Sequence, residues 1–92
     1  MKTPTHIILH NTAVSYNKNP DQANATNMFH KKWKMQSSLG YWAGYTYEIS
    51  KSGKLTQFRK DGEVTAAQFQ MNMNDGRAIS ICLDGWFDKG KD

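Results

Sequence analysis

A chain of 92 residues, 38% hydrophobic and 22% charged, has the make-up of one small globular domain and lies far from that of a disordered chain. Twelve Lys and Arg against eight Asp and Glu leave a net charge of +4, which favours acidic or phosphate-bearing partners without choosing among them. One cysteine, Cys82, excludes an internal disulfide and a cysteine-rich metal cage, and no apolar run reaches membrane-spanning length. The start Met1-Lys-Thr-Pro-Thr5 lacks the apolar segment of a secretion signal, so a cytoplasmic location is expected.

In chain order, the first element is a strand over Thr5–Asn11, where Ile7, Ile8 and Leu9 suit burial on both faces. Residues Thr12–Asn19 are polar and turn-prone, and Asn19 before Pro20 is a cap-and-start signal. The helix it opens is expected over Pro20–Met35, with Ala25, Phe29 and Trp33 on one face. Lys31, Lys32 and Lys34 occupy the other side, near the C-terminal end where the helix dipole favours cations. A loop over Gln36–Ala43 carries Tyr41 and Trp42. Gly44–Ser50 and Lys54–Arg59 read as a hairpin around Lys51-Ser52-Gly53, with Tyr45, Tyr47 and Ile49 as its apolar face.

After a turn at Lys60-Asp61-Gly62, Val64–Phe69 is a short strand or irregular edge, and Met71–Gly76 is a loop. Ala78–Leu83 is the last strand, with Cys82 a buried thiol rather than a reactive one. The expected fold class is α/β, one domain over 1–92: a small mixed or mostly antiparallel sheet of about four strands with one main helix. Its core should contain Ile8, Phe29, Trp33, Ile49, Ile79 and Ile81.

Two surfaces suit binding. Lys31, Lys32 and Lys34 with Trp33, Tyr41 and Trp42 form a basic–aromatic cluster; Lys51, Lys54, Arg59 and Lys60 add a second basic patch. Basic residues interleaved with aromatics grip single-stranded nucleic acid, and aromatic-rich surfaces make protein hot spots. The plain alternative puts Trp33 in the core and the lysines on a solvated face. Catalytic groupings are thin. Asp61 and Glu63 read as solvated turn charges, and Gly40-Tyr-Trp-Ala-Gly44 lacks the lysine and helix of a phosphate loop. His6 and His10 share a strand face about 13 Å apart, too far for one metal.

Thr5-His-Ile-Ile-Leu-His-Asn-Thr-Ala13, Gly44-Tyr-Thr-Tyr-Glu-Ile-Ser50 and Ala78-Ile-Ser-Ile-Cys-Leu-Asp-Gly85 follow one another in a telling order. That order resembles the zinc-dependent N-acetylmuramoyl-L-alanine amidases, including phage lysozyme-type amidases and peptidoglycan-recognition domains. The resemblance covers nearly all of this chain but only the first part of the family's domain. It implies that His10 stands at a zinc-ligand position and Tyr45 at a position that binds or polarises substrate. A catalytic zinc takes three protein ligands and a water. The family's other two ligands follow the strand matched by Ala78–Gly85, and the stretch Trp86–Asp92 holds no histidine or cysteine. The family's Gly-Ser/Ala-His-Ala segment reads Thr65-Ala-Ala-Gln68 here. His30, beside Phe29, matches an aromatic–His pair that the family does not use as a ligand.

The resemblance therefore implies no bound cofactor, or zinc if the chain is an amidase. The leading expectation is a non-catalytic binding protein on an amidase-derived scaffold: a phage or mobile-element inhibitor of a host protein or nucleoprotein complex, of anti-CRISPR type. Such a protein would work in the host cytoplasm, touch free nucleic acid only weakly and need no membrane. Without the family's later helices, its sheet would be covered by that partner or by a second copy in a homodimer. The alternatives are a zinc-dependent peptidoglycan amidase completed by ligands from elsewhere, and a muropeptide-binding module using Tyr45 and the Tyr41–Trp42 loop.

Overall fold

The computed structural model describes residues 2–14, 22–66 and 73–85. Four strands, β1 (His6–Asn11), β2 (Tyr47–Ile49), β3 (Leu55–Gln57) and β4 (Ala78–Leu83), form one sheet in the order β1-β4-β2-β3. The central strand β4 pairs parallel with β1, from His6 opposite Ala78 to Asn11 opposite Leu83. On its other side β4 pairs parallel with β2, and β2 joins β3 in an antiparallel hairpin. The fold is α/β, and the mixed sheet is mostly parallel.

One helix, α1, spans Ala23–Phe29 and tightens into a 3-10 turn over His30–Trp33. It stops short of the expected Met35 because Lys34 takes the left-handed conformation, φ 56° and ψ 34°, which no helix continues through. Asn24, Thr26 and Asn27 are weak helix formers, so little intrinsic propensity lengthens it. The expected start at Asn19–Pro20 lies outside the described residues. The helix is also rotated from the expected face. Ala23, Thr26 and His30 are buried, whereas Phe29 is 65% exposed and Trp33 only partly covered.

Strand alternation then sorts the sheet in an unexpected way. The row His10–Cys82–Glu48–Thr56 and its neighbours Ala78, Ser80 and Ser50 lie on the covered face. The apolar rows Leu9–Ile81–Tyr47 and Leu83–Ile49–Leu55, with Ile7 and Ile79, lie on the other. Ile7, Leu9 and Leu55 are 60 to 67% exposed, so this face is open among the described residues. Ile49, Ile79 and Ile81 are accordingly only partly buried, Ile8 is only partly buried even opposite Ser80 on the covered face, and the expected core of large aliphatics is not the one observed. On the hairpin, Thr46, Glu48 and Ser50 are buried, and Tyr45, Tyr47 and Ile49 only partly so. The small side chains Ala78, Ser80 and Cys82 let the covering layer approach closely. That layer brings together Ala23, Ala43 and Phe58, with Tyr45 packed against them.

Polar side chains tie down the covering loops. Arg59, 2% exposed, donates from Nε to the Ala43 carbonyl at 2.8 Å, from Nη1 to the Val64 carbonyl at 3.0 Å, and from Nη2 to the Met35 carbonyl. Glu63 accepts from the Ser38 amide and hydroxyl and from the Lys60 amide, which hold its carboxyl below its ordinary value. Asp61 accepts from the Tyr47 hydroxyl at 2.5 Å. The expected solvated turn pair Asp61 and Glu63 is thus partly structural. Val64–Ala66 forms no strand; its Thr65 and Ala66 amides donate to the Asn74 and Gly44 carbonyls. The rest of that expected strand, Ala67–Phe69, lies outside the described residues.

Candidate functional site

Parallel strands place their ligand sites at their carboxyl ends, and β1 delivers His10 there. The His10 ring stands 5.1 Å from Tyr45, Tyr45 stands 5.1 Å from His30, and His30 stands 4.2 Å from Trp33. Burial lowers the pKa of His10. It takes His30 down to about 4, helped by the charges of Lys32 and Arg59. Both imidazoles are therefore neutral at pH 7. The Gly44 amide donates to Nδ1 of His30 at 2.8 Å, which leaves the ring proton on Nε2.

Burial pushes the Tyr45 hydroxyl and the Cys82 thiol up, with the Glu48 charge adding to the effect. A thiol so raised is no nucleophile at neutral pH, in line with its expected structural role.

A cavity of about 480 Å³ opens beside this stack, walled by Thr12, Gln22, Thr26, Phe29, His30 and Tyr45 among others. No charged side chain lines it among the described residues. Gln22 is 2% exposed; its Nε2 donates to the Val14 carbonyl at 3.0 Å, and its Oε1 has no partner. Its backbone amide donates to Asp84 Oδ2 at 2.8 Å, tying α1 to the end of β4. His10 Nε2 and Asp84 Oδ1 are likewise buried without a partner. The carboxyl edge of the sheet thus holds an uncharged pocket beside polar atoms with unused capacity, a setting suited to an amide.

His10 fits a metal-ligand position: its imidazole is neutral and its buried Nε2 is unengaged. The fit stops at one ligand. His30 has Nδ1 occupied and a proton on Nε2, and Cys82 stays a thiol. His6 is exposed at the opposite end of β1, against the Thr5 hydroxyl at 2.8 Å. Among the described residues no three His, Cys, Asp or Glu side chains are grouped to hold a metal.

The basic residues separate into different roles. Lys31 lies 5.8 Å from the Trp42 ring centroid, and Lys32 lies 3.8 Å from Phe29 and 5.8 Å from Trp33, so part of the expected cluster does assemble. Tyr41 leaves it and packs edge-on against Phe58 at 5.3 Å. With Lys54 it walls a second cavity of about 220 Å³. Trp42 is anchored through its amide to Asn27 Oδ1 at 2.6 Å. Lys34, Lys51 and Lys60 are exposed. Arg59 is not part of a surface patch: its guanidinium is consumed by three carbonyls in the interior.

Sequence reasoning missed Gln22 altogether and treated His30 as a bystander. The signal was the three-and-four spacing of Ala23, Thr26 and His30, which shares a face with the buried side of the sheet. Comparison with protein-family models returns no matching family, and comparison with curated proteins returns no match.

Proposed function

We propose that the chain carries the substrate wall of a peptidoglycan amidase-type site, recognising the amide between N-acetylmuramic acid and L-alanine. The observation that carries this reading is the uncharged cavity at the carboxyl edge of the parallel strands, beside His10 with its unengaged Nε2. Tyr45, at the position the resemblance gives to substrate binding, forms part of that wall. In the family a zinc ion polarises the amide and activates water. Here His10 would be one of its ligands, and the described residues contribute recognition: His30 as donor from Nε2, Phe29 as an apolar face. No hydrolytic step is assigned to them.

Calorimetric titration with muramyl dipeptide tests this. The wild-type protein should bind it, and Ala25→Trp, which fills the cavity from an exposed wall position, should abolish binding. Unchanged affinity in Ala25→Trp, or no binding by the wild type, sinks the reading.

The open apolar sheet face favours a second reading, the non-catalytic inhibitor that binds a host protein or nucleoprotein complex. Leu9 and Leu55 would then be contact residues, and the lysines of the 3-10 turn would add charge attraction. Replacing both leucines by Lys should abolish inhibition of a nuclease defence complex in cells while sparing muramyl dipeptide binding. Inhibition unaffected by that double change would remove this reading.

A further inference from the structure

The two edges of the sheet are built differently. The β3 edge is three residues long and follows Lys54, and a short edge beside a cation discourages further pairing. The β1 edge is six residues long, and His6–Asn11 contains no Pro, Gly, Lys, Arg, Asp or Glu to blunt it. The amides of His6 and Thr12 donate to the Arg77 and Leu83 carbonyls at 3.1 and 3.2 Å, and the register with β4 is unbroken from His6 to Asn11. In a parallel pair alternate residues bond to the neighbouring strand, so the even positions of β1 bond to β4. Ile7, Leu9 and Asn11 therefore turn their N–H and C=O groups outward, and no strand meets them among the described residues. Their side chains stand on the open face, where Ile7 is 67% and Leu9 65% exposed.

We propose that β1 pairs with β1 of a second copy, antiparallel about a two-fold axis at Leu9, joining the two sheets into one. The outward groups are self-complementary about that axis. Leu9 exchanges N–H···O bonds with Leu9 of the second copy, and Ile7 exchanges them with Asn11, as opposed residues of an antiparallel ladder do. A net charge of +4 sets two copies against each other, but this join lies where neither carries a Lys, Arg, Asp or Glu. The axis also brings both apolar faces to one side of the joined sheet, with the two Leu9 side chains in contact. Another protein could lend a strand here, but a second copy carries the matching length and pattern by construction. The pairing is independent of what the cavity binds.

Sedimentation velocity over a wide concentration range, with amide hydrogen exchange, reads the pairing. The wild type should pass from monomer to dimer as concentration rises. The amides of Ile7, Leu9 and Asn11 should gain protection in step, while those of Ile8 and His10 are protected throughout. Leu9→Lys sets two cations opposite each other and should weaken self-association about tenfold or more, as should Leu9→Glu. An equal mixture of the two variants should pair again, which also shows that both fold. Leu55→Lys, on the same face at the far edge, should leave the dimer intact. A wild type that stays monomeric, or outward amides whose exchange ignores concentration, overturns the proposal. So does a Leu9→Lys and Leu9→Glu mixture that stays apart, or a dimer lost in Leu55→Lys, which would mean that the apolar faces stack instead.

Discussion

The Gly44 amide donates to Nδ1 of His30 at 2.8 Å, and through that one hydrogen bond a loop glycine decides which imidazole nitrogen carries the proton. The same residue governs packing. A Cβ at position 44 would lie 2.9 Å from Trp33 Cζ3 and 3.1 Å from the Ala66 carbonyl carbon. Gly44→Ala should therefore destabilise the domain by about 1–3 kcal/mol, the usual cost of overpacking. Urea denaturation of the two proteins checks this; equal midpoints would mean that the Trp33–His30 stack can shift without cost.

Acid should weaken the fold through its histidines. His30 titrates at about 4 when folded and near its ordinary 6.5 when unfolded, so the unfolded chain binds more protons between those values. Stability is complete above about pH 6.5 and falls as the pH drops toward 4, with His10 acting in the same direction. Melting temperatures should decline across that interval, and the decline should be shallower in His30→Gln. A melting temperature flat from neutrality to pH 4 would show that His30 is not neutral and buried as found.

Arg59 and Lys60 are neighbours with opposite consequences. Arg59→Met strands three interior carbonyls and should cost about 3 kcal/mol or more. Lys60→Met, on an exposed turn, should stay within about 0.5 kcal/mol of the wild type. Arg59→Lys should also be damaging, because one ammonium cannot serve three diverging acceptors. Chemical denaturation of the three variants gives the ranking; a tolerant Arg59→Lys would show that the loops do not depend on the guanidinium.

Two phenylalanines separate in the same manner. Phe58 is 1% exposed and joins Ala23 and Ala43 in the core, so Phe58→Ala should cost about 3–5 kcal/mol. Phe29 is 65% exposed, and Phe29→Ala should cost under about 1 kcal/mol while weakening ligand binding at the cavity wall. A large loss of stability in Phe29→Ala would show that the helix is packed on its other side.

The strands were legible where apolar β-formers run together: Ala78–Leu83 matches β4 residue for residue, and the expected Thr5–Asn11 strand differs from β1 by one position. Which face of them is covered was not legible. Hydrophobicity says that Ile79 and Ile81 belong inside, but the decisive property is size, since Ala78, Ser80 and Cys82 admit the close approach of the covering loops. The helix was placed but turned the wrong way, because Phe29 and Trp33 outweighed the smaller stripe of Ala23, Thr26 and His30. His10 and Tyr45 stood out in the sequence through their motifs. Gln22 did not, because its contacts with Val14 and Asp84 arise only in the folded chain.

The placement of β4 between β1 and β2 sets an order of events in time. The β2–β3 hairpin closes over a few residues, whereas His6 meets Ala78 across 72 positions (78 − 6). Closing so long a loop is slow and entropically unfavourable compared with a hairpin. On the ribosome, β1 therefore emerges well before its partner β4 and waits unpaired until β4 has been made. Through that interval Ile7, Ile8 and Leu9 form a short apolar segment with strand propensity and no partner, the kind of stretch that holdase chaperones shield and that nucleates aggregates when they do not. Yield in overexpression should thus respond more to chaperone supply than to the final stability of the domain.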